Sequence, residues 1–321
     1  MENVKIVGSG SYVPGRIVTN RDLERLTGVP EEEIQKLTGI KQRCFADNSD
    51  TLTSMGLRAS IEACRDIPRG EIDAVIYLQN VPSPDTVYMV AGELHEELRK
   101  ERIVKDKSTF LGLYGGCAEW LDALKVGYSL LQSGLHKRVL CVSSTDISRY
   151  LDFSDKSTSI LFADGASANV LQTSSEEGFL KFYSRGDGSG CRDIVMKHSE
   201  GGNYTVSMQG NKVFHFAVRA IEEAVRELTK DIGIEDIDYF IFHQANGRIL
   251  DAARRRLRLP EEKEVRTIET LGNTSSTSIG IALDRLMRGS LDAYKKPEKG
   301  DLVLMAGFGA GLKITGALYR V

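Results

Sequence analysis

The run IDAVIYLQN at Ile72–Asn80 returns 165 positions later as IDYFIFHQAN at Ile237–Asn246, in a chain of 321 residues. An offset of about half the chain is the signature of an internal duplication, and it constrains the fold more than any composition does. Each copy is a short β-rich run with little charge, the pattern of a strand buried on both faces. Each follows an amphipathic helical pattern, SMGLRASIEACRDI before the first and FHFAVRAIEEAVRELTKDIGI before the second. Downstream, Cys117 opens CAEWLDALKVGYSLLQSG, which feeds the strand pattern RVLCVSS. Asn273 opens NTSSTSIGIALDRLMRGS, which feeds DLVLMAGFG. Gly134 and Gly289 stand where C-cap glycines belong. The order helix, strand, loop, helix, strand is therefore expected twice, which predicts α/β layers with mostly buried sheets. The alternative is that two βα units look alike through shared physics alone; the matched register of the flanking elements favours duplication. The polar stretch QTSSEEG marks the boundary, giving halves at residues 1–174 and 175–321.

Composition narrows the function. The 42 basic and 45 acidic residues leave a net charge of -3, without the basic excess of a nucleic-acid binder. The longest uncharged stretch, Thr270–Leu283, is 14 residues rich in Ser and Thr, too short and polar for a membrane span. The opening MENVKIVGSG has no apolar signal core, so the expected compartment is the reducing cytosol. Five cysteines without a CxxC make neither a disulfide framework nor a metal motif. Cys64 and Cys141 fall in apolar patterns and read as core. Cys44 and Cys191 lie beside charges in expected loops and carry no clear signal.

Duplicated α/β halves bring equivalent strand ends together at a pseudo-two-fold axis, where polar residues converge. Cys117 follows YGG at the start of a helical pattern. Unsatisfied N–H groups and the partial positive charge of a helix N-terminus favour thiolate there, which makes Cys117 a candidate nucleophile. The two glycines allow close approach of a backbone or ligand. His243 directly follows an apolar strand, where a neutral imidazole can donate or accept a hydrogen bond. Asn273 follows Gly272, and its amide can donate to a developing oxyanion. Singly, each residue has a bland reading: a structural cysteine, a satisfied core histidine, a turn or N-cap asparagine.

Together with their neighbours these residues resemble the β-ketoacyl-acyl-carrier-protein synthase III family of condensing enzymes. The resemblance runs from GSGSYVPGRIVTNRDLE and LTGIKQRCFA through GGCAEW, LFADGASANVL, GNKVFHFAV, FHQANGRIL and GNTSSTSIGIALDRL to VLMAGFGAGLKITGALYRV. The pair HQAN and GNTS, 30 residues apart from His243 to Asn273, is its most specific part. It implies a thiolase-like fold, two duplicated α/β halves in an αβαβα arrangement. It also implies a ping-pong Claisen condensation. Cys117 would take an acyl group from a thioester. His243 and Asn273 would hold the carbonyl of a malonyl-carrier-protein and stabilise the enolate formed on decarboxylation. Backbone N–H groups of Cys117 and Ala310, in the loop GFGAG, would form the oxyanion hole, which requires a negative φ at Ala310. Phe162, Phe214, Phe308 and Val87 are the implied pocket residues. Arg248, with Arg254, Arg255 and Arg256, would form a basic face for an acidic acyl carrier protein; otherwise it is a solvated helix face. No metal or cofactor is expected, and the expected assembly is a homodimer. Neither half should be active alone.

The chain departs from the family in two places. The usual Cys-Ala-Gly-Phe is here Cys117-Ala118-Glu119-Trp120. Glu119 reads as an exposed first-turn charge, favoured by the helix dipole; the other reading is recognition of a polar acyl donor. Facing the cysteine, it would raise the thiol pKa. Second, Glu33, Leu37 and Lys156 stand where relatives that use acetyl-CoA often carry Trp and Arg around adenine and phosphates. The usual mode of acetyl-CoA binding is therefore not expected, which points to a specialised branch such as natural-product biosynthesis. Other outcomes for the same residues are acyl transfer to oxygen, nitrogen or sulfur, thioester hydrolysis, or a non-catalytic subunit of a heterodimeric synthase. A papain-like hydrolase also uses Cys, His and Asn, but does not fit the duplicated organisation.

Overall fold

The computed structural model describes residues 2–82, 90–198 and 204–321. The first half contains strands β1 (Asn3–Tyr12), β2 (Arg16–Thr19) and β3 (Gln42–Phe45), and helices α1 (Asn20–Thr27), α2 (Glu31–Thr38) and α3 (Leu52–Ala63). It continues through β4 (Ile72–Gln79), α4 (Val90–Lys100), β5 (Val104–Tyr114), α5 (Glu119–Gln132), β6 (Arg138–Thr145), α6 (Lys156–Ser159) and β7 (Gly165–Ser174). The second half holds β8 (Phe179–Gly186), β9 (Ile194–His198), β10 (Tyr204–Met208), α7 (Gly210–Leu228), β11 (Tyr239–Phe242) and α8 (Gly247–Leu257). It ends with α9 (Ile268–Leu271), α10 (Ser278–Arg288), β12 (Leu302–Gly309) and β13 (Lys313–Arg320).

Two sheets form the frame, with strand orders β1-β7-β6-β4-β5 and β11-β12-β13-β8. The repeated runs are equivalent strands. β4 pairs in parallel with β6, and β11 in parallel with β12; β6 then pairs antiparallel with β7, and β12 with β13. A bridge from Phe240 to Glu264 stands where β5 lies in the first sheet. β4 is buried from end to end apart from Asp73, as expected for an apolar strand with parallel partners on both sides.

Helices α5 and α10 form the middle layer between the sheets. α5 touches β4, β6 and β7 on one side and β12 and β13 on the other, and α10 packs on β1, β7 and β11. A layer with sheets on both faces must be apolar nearly all round, and α10 buries every residue from Ser278 to Leu286 except Arg285. Close approach requires small residues. A Cβ on Gly280 would lie 2.4 Å from Ser167 Oγ, and one on Gly127 would lie 2.9 Å from Cys141 Sγ. α3 and α4 cover the outer face of the first sheet, and α7 covers that of the second, with α8 against it. The result is the expected αβαβα layering. Cys64 and Cys141 are buried, as expected; Cys44 is also buried, on β3 rather than in a loop.

Among the described residues, no helix is long and apolar enough to cross a membrane. No group of three or more His, Cys, Asp or Glu side chains among them is arranged to hold a metal ion.

Candidate active site

β5 ends at Tyr114, and Gly115 N–H donates to the Gln79 carbonyl at 3.0 Å, which ties this end to β4. Gly116 and Cys117 then turn the chain into α5. From the other half, the end of β12 comes up against this turn. A Cβ on Gly309 would lie 3.0 Å from Cys117 N and 2.9 Å from Ala118 N, so the contact is backbone on backbone. Thr315 Oγ1 donates to the Ala118 carbonyl at 2.7 Å. Ala310 is absent from the residues of positive φ, as a backbone donor at a non-glycine requires. Cys117, Ala310, Gly115 and Gly116 line one cavity of about 350 Å³.

Cys117 Sγ lies 3.2 Å from Ser275 Oγ. Burial pushes the thiol up to about 11; the Ser275 contact pulls it down and the Glu119 carboxylate pushes it further up. The thiolate expected from the helix terminus is thus not the resting state. Glu119, rather than Cys117, is the first residue of α5, and desolvation outweighs the dipole.

His243 follows β11 and is buried, with its ring edge-on to Phe308 at a centroid distance of 5.2 Å. Burial pushes its imidazole down to about 3, so the ring is neutral. Ser278 Oγ accepts the Gln244 N–H at 3.2 Å and lies 2.7 Å from His243 Nδ1. With one lone pair engaged, Ser278 Oγ can donate its own proton to Nδ1, and in that tautomer Nε2 carries the ring proton and is a donor. Asn273 Oδ1 accepts the Ser275 N–H at 2.9 Å, which fixes the amide and leaves Nδ2 as its donor end. The Asn273 backbone is clamped on both sides: its N–H donates to Leu161 O at 3.0 Å, and its carbonyl accepts Ala163 N–H at 2.8 Å. Ser275 therefore connects Cys117 of the first half with Asn273 of the second.

A second cavity, of about 430 Å³, is lined by Asn273, Ala245, Phe214, Arg248, Leu37 and Lys156 among others. The isolated bridge from Phe162 to Asn273 joins the walls of the two cavities, because Phe162 lines the one that holds Cys117. The expected pocket residues thus separate. Phe162 faces the nucleophile. Phe214 lines the outer cavity, with the Arg248 guanidinium 5.9 Å above its ring. Phe308 lines neither cavity and instead supports His243. Val87 lies outside the described residues.

The basic face also needs a correction. On α8, Arg248, Arg255 and Arg256 share one side, at helical spacings of seven and eight residues. Arg254 turns the other way and pairs with Glu261 and Glu264, at 3.1 and 3.3 Å. Arg256 reaches Glu222 at 3.7 Å. Near the outer cavity, Leu37 and Lys156 line the wall, whereas Glu33 is exposed on α2 away from it. Glu119 is not the exposed charge expected: it is largely buried and lines the Cys117 cavity.

Sequence reasoning singled out the cysteine, histidine and asparagine but missed their supports. Ser275 and Ser278 lay in the quoted GNTSSTS segment, and Asn80 closed the repeat. Asn80 Nδ2 donates to Ser275 Oγ at 2.8 Å. The paired strands β9 and β10 supply Ile194, Val195, Met196 and Val206 to the Cys117 cavity, and no sequence signal placed them there.

Comparison with known proteins agrees with this geometry. Residues 113–188 match the family model for 3-oxoacyl-[acyl-carrier-protein] synthase III, and residues 229–321 match the model for its C-terminal part. The β-ketoacyl-[acyl-carrier-protein] synthase III 1 of Bacillus anthracis is 36% identical over 314 residues, covering 97% of this chain and 96% of the relative. The crystal structure of the Aquifex aeolicus 3-oxoacyl-[acyl-carrier-protein] synthase III superposes with a TM-score of 0.90 at 31% identity, covering 99% of this chain and 100% of that one. The priming β-ketosynthase of the R1128 polyketide pathway also gives a TM-score of 0.90, at 32% identity over 99% of this chain and 96% of its own. On these matches, and with the Cys117 turn, a neutral His243 and a clamped Asn273 in place, the chain belongs to the β-ketoacyl-[acyl-carrier-protein] synthase III family of condensing enzymes.

Proposed function

We propose that this acyltransferase carries out a two-step decarboxylative Claisen condensation through acyl-Cys117. The observation that carries this reading is the Cys117–Ser275–Asn273 connection, with a neutral His243 held by Ser278 of the same segment that carries Asn273 and Ser275. In the first step, the Cys117 sulfur attacks the carbonyl of an acyl thioester. The incoming thiol's proton leaves with the departing thiol, and the acyl group stays on Sγ. The tetrahedral oxyanion is held by the N–H groups of Cys117 and Ala310, which face one cavity. A thiolate is a good leaving group, so the acyl-enzyme remains reactive towards carbon.

In the second step a malonyl thioester on a carrier protein enters through the outer cavity. As carbon dioxide leaves, negative charge gathers on the thioester oxygen. His243 Nε2–H and Asn273 Nδ2–H stabilise it as neutral donors, and Ser278 and Ser275 hold them in orientation. The enolate carbon attacks the acyl carbonyl, the S–C bond to Cys117 breaks, and the released thiolate takes up one proton from solvent to regenerate the thiol. The reaction needs no metal or redox cofactor. Arg248, Arg255 and Arg256 on α8 provide the face for the acidic carrier, with Lys156 at the outer cavity.

The working unit in this reading is a homodimer. β5 is an edge strand of 11 residues that shows Phe110, Leu111 and Tyr114 to solvent, an edge that demands a partner. Specialised use of the reaction is supported by Leu37 and Lys156, which line the outer cavity where the resemblance places an adenine-holding set. Intact-mass spectrometry with acyl-CoA and acyl-carrier-protein donors, followed by product analysis with malonyl-carrier-protein, tests the scheme. The expected results are one acyl adduct, on Cys117, and a β-ketoacyl product. Free acid or an oxygen ester as the sole product overturns the condensation reading.

A further inference from the structure

The cavity that holds Cys117 is largely apolar, with walls of Ile147, Phe162, Ile194, Val195 and Met196. Two polar residues of that wall, Glu119 and Asn80, each keep one oxygen buried just behind it. Glu119 Oε2 is buried and accepts no hydrogen bond, and Asn80 Oδ1 is buried and accepts none either. Both residues line the same cavity, one from the start of α5 and one from the end of β4. Asn80 is not free to turn its donor end inward, because Nδ2 is committed to Ser275. Desolvation pushes the Glu119 carboxyl up, and Lys313 and the backbone N–H groups of Glu119 and Gly116 pull it down. Lys313 nevertheless makes its ion pair with Asp122, at 2.5 Å, and Oε2 itself stays without a hydrogen bond.

The carboxylate is also built into its place. A Cβ on Gly115 would lie 2.5 Å from Glu119 Cγ and 2.9 Å from its Cβ, and one on Gly116 would lie 3.6 Å from Oε2. The Gly115-Gly116 pair therefore clears room for the Glu119 side chain to fold over the turn beside the nucleophile. Two buried acceptors without donors on one cavity cost stability unless a ligand supplies the donors. An unbranched alkyl chain would leave both unpaired.

Resting on the reading of Cys117 as the acyl acceptor, we propose that Glu119 and Asn80 select acyl groups bearing a hydrogen-bond donor, an amino or hydroxyl group, close to the thioester carbon. A purely hydrocarbon acyl group is disfavoured because it buries both acceptors unmet.

The test uses N-acetylcysteamine thioesters of matched size: butyryl, 3-hydroxybutyryl and 3-aminobutyryl. Acylation of Cys117 is followed by intact mass. Wild-type protein is expected to take at least one polar group about tenfold faster than butyryl. A larger rate for the amino compound identifies an ionic contact, and a larger rate for the hydroxy compound a neutral one. Glu119→Gly is expected to remove the preference and to speed butyryl transfer. Glu119→Gln keeps an acceptor and should retain the hydroxyl preference while losing any ammonium advantage. Gly115→Ala displaces the carboxylate without removing it, and should weaken the preference even if Glu119→Gly fails to fold. Equal rates for all three thioesters in wild type, or an unchanged preference in Glu119→Gly, overturn the inference. Acylation without preference leaves the condensing reading intact, whereas no acylation of Cys117 by any thioester overturns both.

Discussion

The two halves use the same strand end for different purposes. Leu78 lies inside β4, one residue before its end, as a buried core residue, and at the equivalent point of the repeat His243 follows β11. The next residue is Gln in both. Gln244 is saturated: its Nε2 donates to Phe242 O and Val265 O, and its Oε1 accepts from Thr267 N and Ile268 N. Among the described residues, Gln79 shows one side-chain bond, from Nε2 to Val81 O. The contrast extends to the loops before the middle helices. Asn273, in the second half, is clamped by backbone and side-chain bonds. In the first half, Cys117 is accompanied by two acceptors with nothing to accept. The half that supplies the donors is finished before substrate arrives, while the nucleophile half is completed by it.

The sharpest break in the comparison is removal of the chemistry on each side. Cys117→Ala is expected to abolish acyl-enzyme formation altogether; an adduct that persists at full yield would sink the assignment of the nucleophile. His243→Ala should reduce condensation by about 10²–10⁴-fold while slowing self-acylation far less. Equal loss in both steps would mean that His243 is structural. Ser278→Ala removes the hydroxyl partner of Nδ1. Condensation should fall by about 10–100-fold, the usual effect of a lost orienting partner, with acylation and thermal stability nearly unchanged. A matching fall in acylation would place Ser278 in the scaffold instead.

Much of this division was legible in the sequence, because duplication fixes which strand ends meet. The repeat predicted the doubled order of helices and strands in α/β layers, the resemblance implied the αβαβα arrangement, and the polar residues at the element ends marked the candidate site. What could not be read was orientation. Glu119 at a helix start looks like a solvated charge, since local sequence does not reveal that two preceding glycines let it fold back over its own turn. Phe308 is a pocket residue by the resemblance, yet it lies on β12 with its ring against His243. Arg254 is one of three consecutive arginines, and only the helical phase and the buried Glu264 separate it from its neighbours. The lining from β9 and β10 depends on a long-range excursion that no local pattern encodes.

A smaller effect contrasts the paired glutamines directly. Gln244→Ala strands two N–H groups and two carbonyls in the core and should destabilise the fold by about 2–4 kcal/mol. Gln79→Ala loses a single bond, worth about 1 kcal/mol. Denaturant melts of the two variants measure the difference. Equal losses would show that the halves are equally prebuilt at this position and would remove one support for the division.

The smallest effect concerns the charge beside the nucleophile. With its pKa raised to about 11, Cys117 is a thiol at neutral pH. The thiolate fraction then rises about tenfold per pH unit from pH 7 towards 10, and modification of Cys117 by iodoacetamide should climb with it. His243 stays neutral over this range, since its imidazole is held down to about 3, so no donor is lost from the other half as pH changes. The Glu119 carboxylate is one of the causes that raise the thiol. Glu119→Gln removes that repulsion, lowers the thiol pKa, and moves the whole alkylation profile to lower pH. At pH 8 the rate should increase about two- to fivefold. Peptide mass spectrometry separates Cys117 from the exposed Cys191. An unshifted profile would mean that Glu119 is already protonated in the resting enzyme, and an amino group on the acyl chain would then lose its advantage over a hydroxyl.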